Sequence, residues 1–327
     1  MREIVDQLFQ TGYEHDLGIG WCYVLVGEEE LILIDPGYGW HFRPKTEKKS
    51  MNGNVLARSE SLITPALLDL LDFSASLSKP ITKGILTHSH ADHSTNMSLL
   101  LQKSEEINAY YETDIVDLNL IVHRNSIFKK SVWRKINVKT ELVIGGHTVN
   151  ILPTPGHSQG QEDLSIYLPE KKLLFCGDLC QPQGREFHIC EGPSPIPFFV
   201  HGDQTKQSLE ELMELDFEVL LTSHGYQYQR EDGIHALQLT HSLLEKIDNL
   251  AQRLLRENPD EHLDTIALWI YDTITHQRQF DSKRAEFRKM HYDRNGVSDF
   301  QKYDKITIDY FLSKYITPST AHLNNEY

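Results

Sequence analysis

Thr87-His88-Ser89-His90-Ala91-Asp92-His93 packs three histidines and an aspartate into six positions, directly after the apolar run Gly84-Ile85-Leu86. Residues 81–87 read as a short buried strand, so the cluster sits at a strand's C-terminal end, where α/β proteins keep their chemistry. Neutral imidazoles beside a carboxylate are the donors that zinc, iron or manganese bind. His88 and His90, two apart on an extended turn, can aim at one ion, and Asp92 and His93 can reach a second beside it. A polar loop with scattered solvated histidines is the competing reading, and the density of donors argues against it.

The same pattern recurs along the chain. Residues 1–34 read as strands, with apolar runs at 19–26 and 31–34 around a charged turn, and they stop at Asp35-Pro36-Gly37. Asp35 is a candidate for orienting a ligand histidine from behind, or simply for capping its turn. The strand at 148–152 runs into Thr154-Pro155-Gly156-His157-Ser158, on a turn that Pro stiffens and Gly permits. The strand at 173–175 closes on Cys176-Gly177-Asp178, and that at 217–221 on Thr222-Ser223-His224-Gly225. Four successive strand ends that each present ligand-type residues weigh more than any single motif.

Between these motifs the periodicity predicts helices over 62–77, 95–104, 114–128 and 204–215, and strands over 107–111, 141–143 and 164–168. From residue 234 the pattern turns helical. One long helix carries Leu237, Leu244, Ile247, Ala251 and Leu254 and stops before Pro259, with further helices at 263–275, 282–291 and 306–315. The expected organisation is a catalytic domain over 1–232 and a helical region over 233–327. Residues 38–61, with Trp40, Phe42 and several basic residues, read as a flap over an anionic substrate or as a solvated insertion. The Pro- and Gly-rich loop at 181–204 carries His188, Phe198, Phe199 and His201.

Bulk properties narrow the class. The chain has 327 residues, 39% of them hydrophobic and 24% charged, ordinary for a globular protein. A formal net charge of −15 argues against nucleic acid as the main partner, since phosphate backbones need basic patches. No apolar run approaches the roughly 20 residues of a membrane helix, and the first residues lack the apolar core of a signal peptide. Four cysteines in a chain of this size do not form a disulfide framework. Cys176 and Cys180 read as small buried hydrophobes. The expectation is a cytoplasmic protein acting on a small molecule, without nucleic-acid or membrane partners and with a homodimer admissible.

Taken together, Asp35, the 87–93 cluster, Pro155-Gly156-His157, Gly177-Asp178 and Ser223-His224-Gly225 resemble the metallo-β-lactamase superfamily over residues 13–230. The resemblance implies an α/β fold, a four-layer αβ/βα metallo-β-lactamase sandwich, here with an α-helical C-terminal extension. It implies two divalent metal ions, zinc ahead of iron or manganese. His88, His90 and His157 would hold the first, Asp92, His93 and His224 the second, and Asp178 would bridge them. The sequence departs from the family twice. Residues 156–164 look about two residues longer than usual, and Tyr226 stands where proline is common. Tyr226, His188 and His201 are the candidate substrate contacts.

Two ions about 3.5–4 Å apart would lower the pKa of a shared water toward neutrality and polarise the oxygen that gains charge. Asp92 could take the proton of that water. No Ser or Cys nucleophile is needed, and no serine stands in a nucleophile elbow. The expected activity is hydrolysis of an ester, thioester or lactone, in a glyoxalase II-like or thioesterase-like branch. The alternatives are a mononuclear iron persulfide dioxygenase, a phosphodiesterase or nuclease, and a non-catalytic binding protein that keeps the site.

Overall fold

The computed structural model describes residues 1–11, 22–37, 65–111, 115–126, 128, 132–185, 194–224, 226–276 and 302–316. The chain divides into two compact units. The first comprises Met1–Thr154, Gly160–Asp178 and Asp216–Arg230; the second comprises Pro155–Gln159, Leu179–Leu215 and Glu231–Tyr327.

The first unit is built on two sheets. Strands β1 (Arg2–Val5), β2 (Leu8–Thr11), β3 (Cys22–Val26), β4 (Leu31–Ile34), β5 (Ile81–Ile85), β6 (Ile115–His123) and β7 (Val132–Ile136) lie side by side in chain order. The order of the second sheet is β13-β12-β11-β10-β9-β8, from β8 (Thr140–Ile144), β9 (His147–Pro153), β10 (Leu164–Leu168), β11 (Leu173–Phe175), β12 (Val219–Leu221) and β13 (Gln227–Gln229). The first four strands are antiparallel, whereas β4 to β7 run parallel, as do β11 and β12.

Side-chain alternation explains the layering. Tyr23, Leu25, Ile32 and Ile34 of the first sheet share one core with Val149, Ile151, Ile166, Phe175 and Leu221 of the second. The intervening residues Val24, Leu31, Leu33, Leu120 and Val122 face the other way. There they pack against Leu67, Leu70 and Leu71 of helix α1 (Pro65–Leu77) and Met97 and Leu100 of helix α2 (Ala91–Tyr111). Strands covered on both faces read as continuous apolar runs, which is how 31–34 reads.

In the second unit are α3 (Gly202–Met213), α4 (Arg230–Glu257, but for its first residue), α5 (Leu263–His276) and α6 (Lys302–Ser313). Thr307 of α6 accepts from the Phe199 amide at 2.8 Å and donates to the Pro197 carbonyl at 2.7 Å. Lys314 reaches Asp203 and Asp248, each at 2.9 Å, which ties the end of α6 to α3 and α4. Arg185 and Asp304 form a fully buried ion pair at 3.1 Å.

Two sequence expectations are corrected. Residues 107–111 do not form a strand but continue α2, because no Gly or Pro between 91 and 111 stops a helix once begun. Residues 114–128 do not form a helix. The segment Ile115–His123 is a strand whose backbone groups are satisfied by parallel partners on both sides, β5 and β7. Tertiary pairing overrides local propensity there. Strands β7 and β13 were not anticipated, and the expected helix at 282–291 and the loop at 38–61 lie outside the described residues.

Candidate metal centre

The site of the first unit lies where parallel neighbours end at the same edge of each sheet. β4 runs into Asp35, β5 into Thr87 and His88, β11 into Asp178 and β12 into Ser223 and His224. Asp92 and His93 belong to the first turn of α2, where a carboxylate complements the helix dipole. Gly177 has φ +57, a conformation that favours glycine, and a Cβ there would meet Thr87 tightly at 3.1 Å, where the two strand ends approach each other.

Asp35 organises this edge. It is buried, at positive φ (45°), a conformation that Asp tolerates better than most residues. Its Oδ1 accepts from the Thr87 amide at 2.8 Å. Its Oδ2 accepts from Thr87 Oγ1 at 2.5 Å, from Ser223 Oγ at 2.7 Å and from His93 Nδ1 at 3.1 Å. A carboxylate only accepts, so Nδ1 of His93 carries the proton and Nε2 becomes the ligating atom. The orienting role considered for Asp35 is therefore the geometry observed. Thr87 and Ser223 are the partners that sequence reading left without a role; their signal was their place beside ligand-type residues at strand ends.

His93 Nε2 lies 3.3 Å from Asp178 Oδ2 and 3.6 Å from Asp92 Oδ2, and His224 Nε2 lies 3.2 Å and 3.9 Å from the same two atoms. Ligand atoms of Asp92, His93, Asp178 and His224 all fall within 4.8 Å of one another. His88 Nε2 is 3.9 Å from Asp178 Oδ2 and 2.9 Å from His90 Nδ1. Asp178 Oδ2 thus stands among three imidazoles.

These groups shift one another's protonation. Burial opposes charge on His93, but Asp178 and Asp92 outweigh it and raise its pKa well above the usual histidine value. The same balance, with Asp178 first among the raising charges, pushes His224 up to about 9. Burial likewise opposes charge on the carboxylates, yet His224 and His93 hold Asp178 well below its ordinary range, and His93 and His224 lower Asp92. Each carboxylate thus favours the charged form of the imidazoles beside it, and each imidazole that of the carboxylates.

The donor set fits a divalent cation. Among the described residues His93 Nε2 finds no partner in good hydrogen-bond geometry; it is buried, 3.3 Å from Asp178 Oδ2, and points into the cluster. Such an atom costs about 1–3 kcal/mol unless something there satisfies it. Two carboxylates and two imidazoles are hard-to-borderline donors of the kind zinc, iron and manganese accept.

His157 belongs to the second unit, where it is buried and its Nδ1 lies 2.8 Å from the Phe198 carbonyl oxygen. That oxygen can only accept, so Nδ1 carries the proton and Nε2 keeps the lone pair. Gly156, at φ +144, is held against Thr205, whose Oγ1 an added Cβ would meet at 2.2 Å. His201 precedes α3, with its ring edge-on to Tyr310 at 6.2 Å. Tyr226 is 37% exposed and stacks on Tyr228 at 6.2 Å. His188 lies outside the described residues. Cys176 and Cys180 are buried.

Strand-end histidines and aspartates gathered at the edge of a two-sheet α/β sandwich define a metal-centre protein. The family pattern described as the metallo-beta-lactamase superfamily matches residues 15–224, and the chain belongs to that superfamily. The hydroxyacylglutathione hydrolase of Bartonella tribocorum (strain CIP 105476 / IBS 506) is 30% identical over 154 residues, 47% of this chain and 52% of the relative. The chain thus spans about half the length of that curated relative. Among solved structures, a metallo-beta-lactamase from Pontibacter korlensis is 17% identical, covers 74% of this chain and 97% of its own, and superposes with a TM-score of 0.51. The sec-alkylsulfatase Pisa1 from Pseudomonas sp. is 14% identical over 96% of this chain and 50% of its own, with a TM-score of 0.60. At these identities the likeness to the solved structures is one of fold. None of the described helices is long and apolar enough to cross a membrane.

Proposed function

We propose that this chain is a metal-dependent hydrolase with two divalent ions, zinc first, acting on an ester, thioester or lactone of a small molecule. The buried Nε2 of His93 among Asp92, Asp178 and His224 is the observation that carries the reading. His88, His90 and His157 are assigned to one ion, Asp92, His93 and His224 to the other, and Asp178 to both. The Nδ1 contacts of His93 and His157 support this by directing Nε2 to the ligating role. Paired ions of this kind supply Lewis acidity and a water activated near neutral pH. The protein's own part is to orient. Asp35 fixes His93, and Asp92, in the first turn of α2, is the group to receive the proton of the attacking water. Among the three substrate classes the acyl thioester comes first, because the curated relative is named for cleaving an acylated glutathione. Residues 1–232 are assigned as the catalytic domain and 233–327 as the helical region, with Tyr226, His188 and His201 as substrate contacts, in a cytoplasmic protein.

Metal analysis of the purified protein combined with acyl-thioester turnover tests this reading. Two divalent ions per chain, loss of turnover on chelation and recovery with zinc are expected. One iron per chain with oxygen uptake would replace it by a persulfide dioxygenase. Full turnover by verified metal-free protein would end it.

A further inference from the structure

The segment of residues 160–164 places a buried carboxylate on the turn between His88 and His90. Glu162 is 7% exposed, and its Oε2 accepts from Ser89 Oγ at 2.8 Å while its Oε1 faces the Ser89 amide at 3.3 Å. Ser89 lies between His88 and His90. Its single hydroxyl proton goes to Glu162, so its oxygen accepts from Ser126 Oγ at 2.9 Å, and Ser126 Oγ in turn accepts from the Phe128 amide at 3.3 Å. The Ser89 carbonyl accepts from Ser94 Oγ at 3.2 Å, so the residue is held through its amide, its hydroxyl and its carbonyl.

The backbone around Glu162 is built for this. Gln161 sits at φ +49, an uncommon conformation for a non-glycine residue. Gly160 is tied down by Asn125 Nδ2 at 2.8 Å, and the Leu164 amide donates to the Thr87 carbonyl at 2.8 Å. The segment is therefore pinned on both sides of Glu162, one pin on the loop after β6 and the other on the residue before His88. No ordinary loop carboxylate needs such support, since solvent would satisfy it.

We propose that Glu162 is a positioning residue that clamps the Ser89 turn and so presets His88 and His90 for one ion. The proposal rests on the metal assignment above. In this role Glu162 acts through Ser89. The geometry resembles the outer partners that orient metal ligands elsewhere, whose removal costs about 10–100-fold in metal affinity.

The test uses the full chain and two readouts: zinc affinity by competition with a chromophoric chelator, and hydrogen exchange at amide 89 in metal-free protein. Glu162→Ala is expected to weaken zinc by about 10–100-fold and to speed exchange at residue 89 at least about tenfold. Glu162→Gln, which keeps the volume and one acceptor oxygen, recovers part of both and carries the test if the alanine variant does not fold. Ser89→Ala combined with Glu162→Ala is no worse than the more damaging single change, because both remove one interaction. Zinc affinity or amide exchange within about twofold of wild type in both Glu162 variants overturns the proposal. A wild type that takes up no zinc overturns the metal assignment instead, and exchange at residue 89 then decides the clamp alone.

Discussion

Asp178 and Asp304 are both carboxylates withdrawn from water, and they differ in what answers their charge. Asp178 faces His224 at 3.2 Å, His93 at 3.3 Å and His88 at 3.9 Å. Asp304 faces the guanidinium of Arg185 at 3.1 Å. An imidazole can surrender its proton, whereas a guanidinium cannot. The first site can therefore exchange protons for a cation; the second is a fixed pair that holds the long loop before α3 to α6. Buried charge alone does not mark a functional site. A buried charge with an exchangeable counter-charge does.

The largest effect expected is on Asp178→Asn. Turnover and metal content should fall by about 10³-fold or more, beyond the range of outer partners. Thermal stability of the metal-free protein should fall near pH 6, where Asp178 answers the charges of His93 and His224, and should move little near pH 9, where the histidines left behind can shed their protons. A melting temperature that drops near pH 9 as far as in Asp304→Asn would erase the contrast. Asp304→Asn should leave metal content intact but destabilise by about 3–5 kcal/mol, since the Arg185 charge stays buried. Chemical denaturation compared with metal analysis separates the two variants.

Asp35→Asn comes next. Four donors converge on its two oxygens, so an amide NH₂ in either orientation meets a donor head-on. About 1–3 kcal/mol of stability should be lost, with zinc affinity reduced about 10–100-fold. Full zinc affinity in a folded Asp35→Asn protein would show that His93 needs no orienting partner.

The pH dependence follows from the same chemistry. With His224 raised to about 9 and His93 well above its ordinary value, both hold their protons more tightly in metal-free protein than a free imidazole does. Metal must displace those protons, so apparent affinity should rise by about 10–100-fold per pH unit from pH 6.5 toward 9. The stability of the metal-free protein runs the opposite way. A histidine raised on folding stabilises fully below its unfolded value near 6.5 and loses that contribution as pH climbs through about 9. A chelator titration and a melting curve at several pH values read the two trends, and parallel trends would refute the linkage.

The smallest effect is at Asp309, where burial, more than Asp264, pushes the carboxyl up to about 6 against the pull of Lys305. An acid raised on folding favours the fold below 3.8 and loses that support as pH rises through about 6. Asp309→Asn should flatten stability between pH 4 and 7, by no more than about 0.5 kcal/mol on this half-exposed side chain. An unchanged pH slope would assign the trend elsewhere.

The clustering of candidate ligands was largely legible before the fold was. Histidines and aspartates at strand ends announce themselves by type and spacing, as His88, His90, Asp92, Asp178 and His224 do. Asp35 was legible as a strand stop with two possible roles, and only its four hydrogen bonds chose between them. The segment 107–123 was misread because helix and strand there differ by non-local pairing. The apolar content of Ile115–His123 suits either state until β5 and β7 stand on each side. Glu162 and the Arg185–Asp304 pair left no local trace at all, because each meets its partner across 73 or more positions.

The order and chemistry of the ligand-type residues, the strand-end placement of most of them and the superfamily were written in the chain itself, because donor type and apolar periodicity are local properties. Which nitrogen of His93 and of His157 keeps its lone pair, which buried acid meets imidazoles and which a guanidinium, and what the Ser89 turn touches were settled by folding alone. Those outcomes depend on hydrogen bonds between segments far apart in sequence, where only packing decides which donor meets which acceptor.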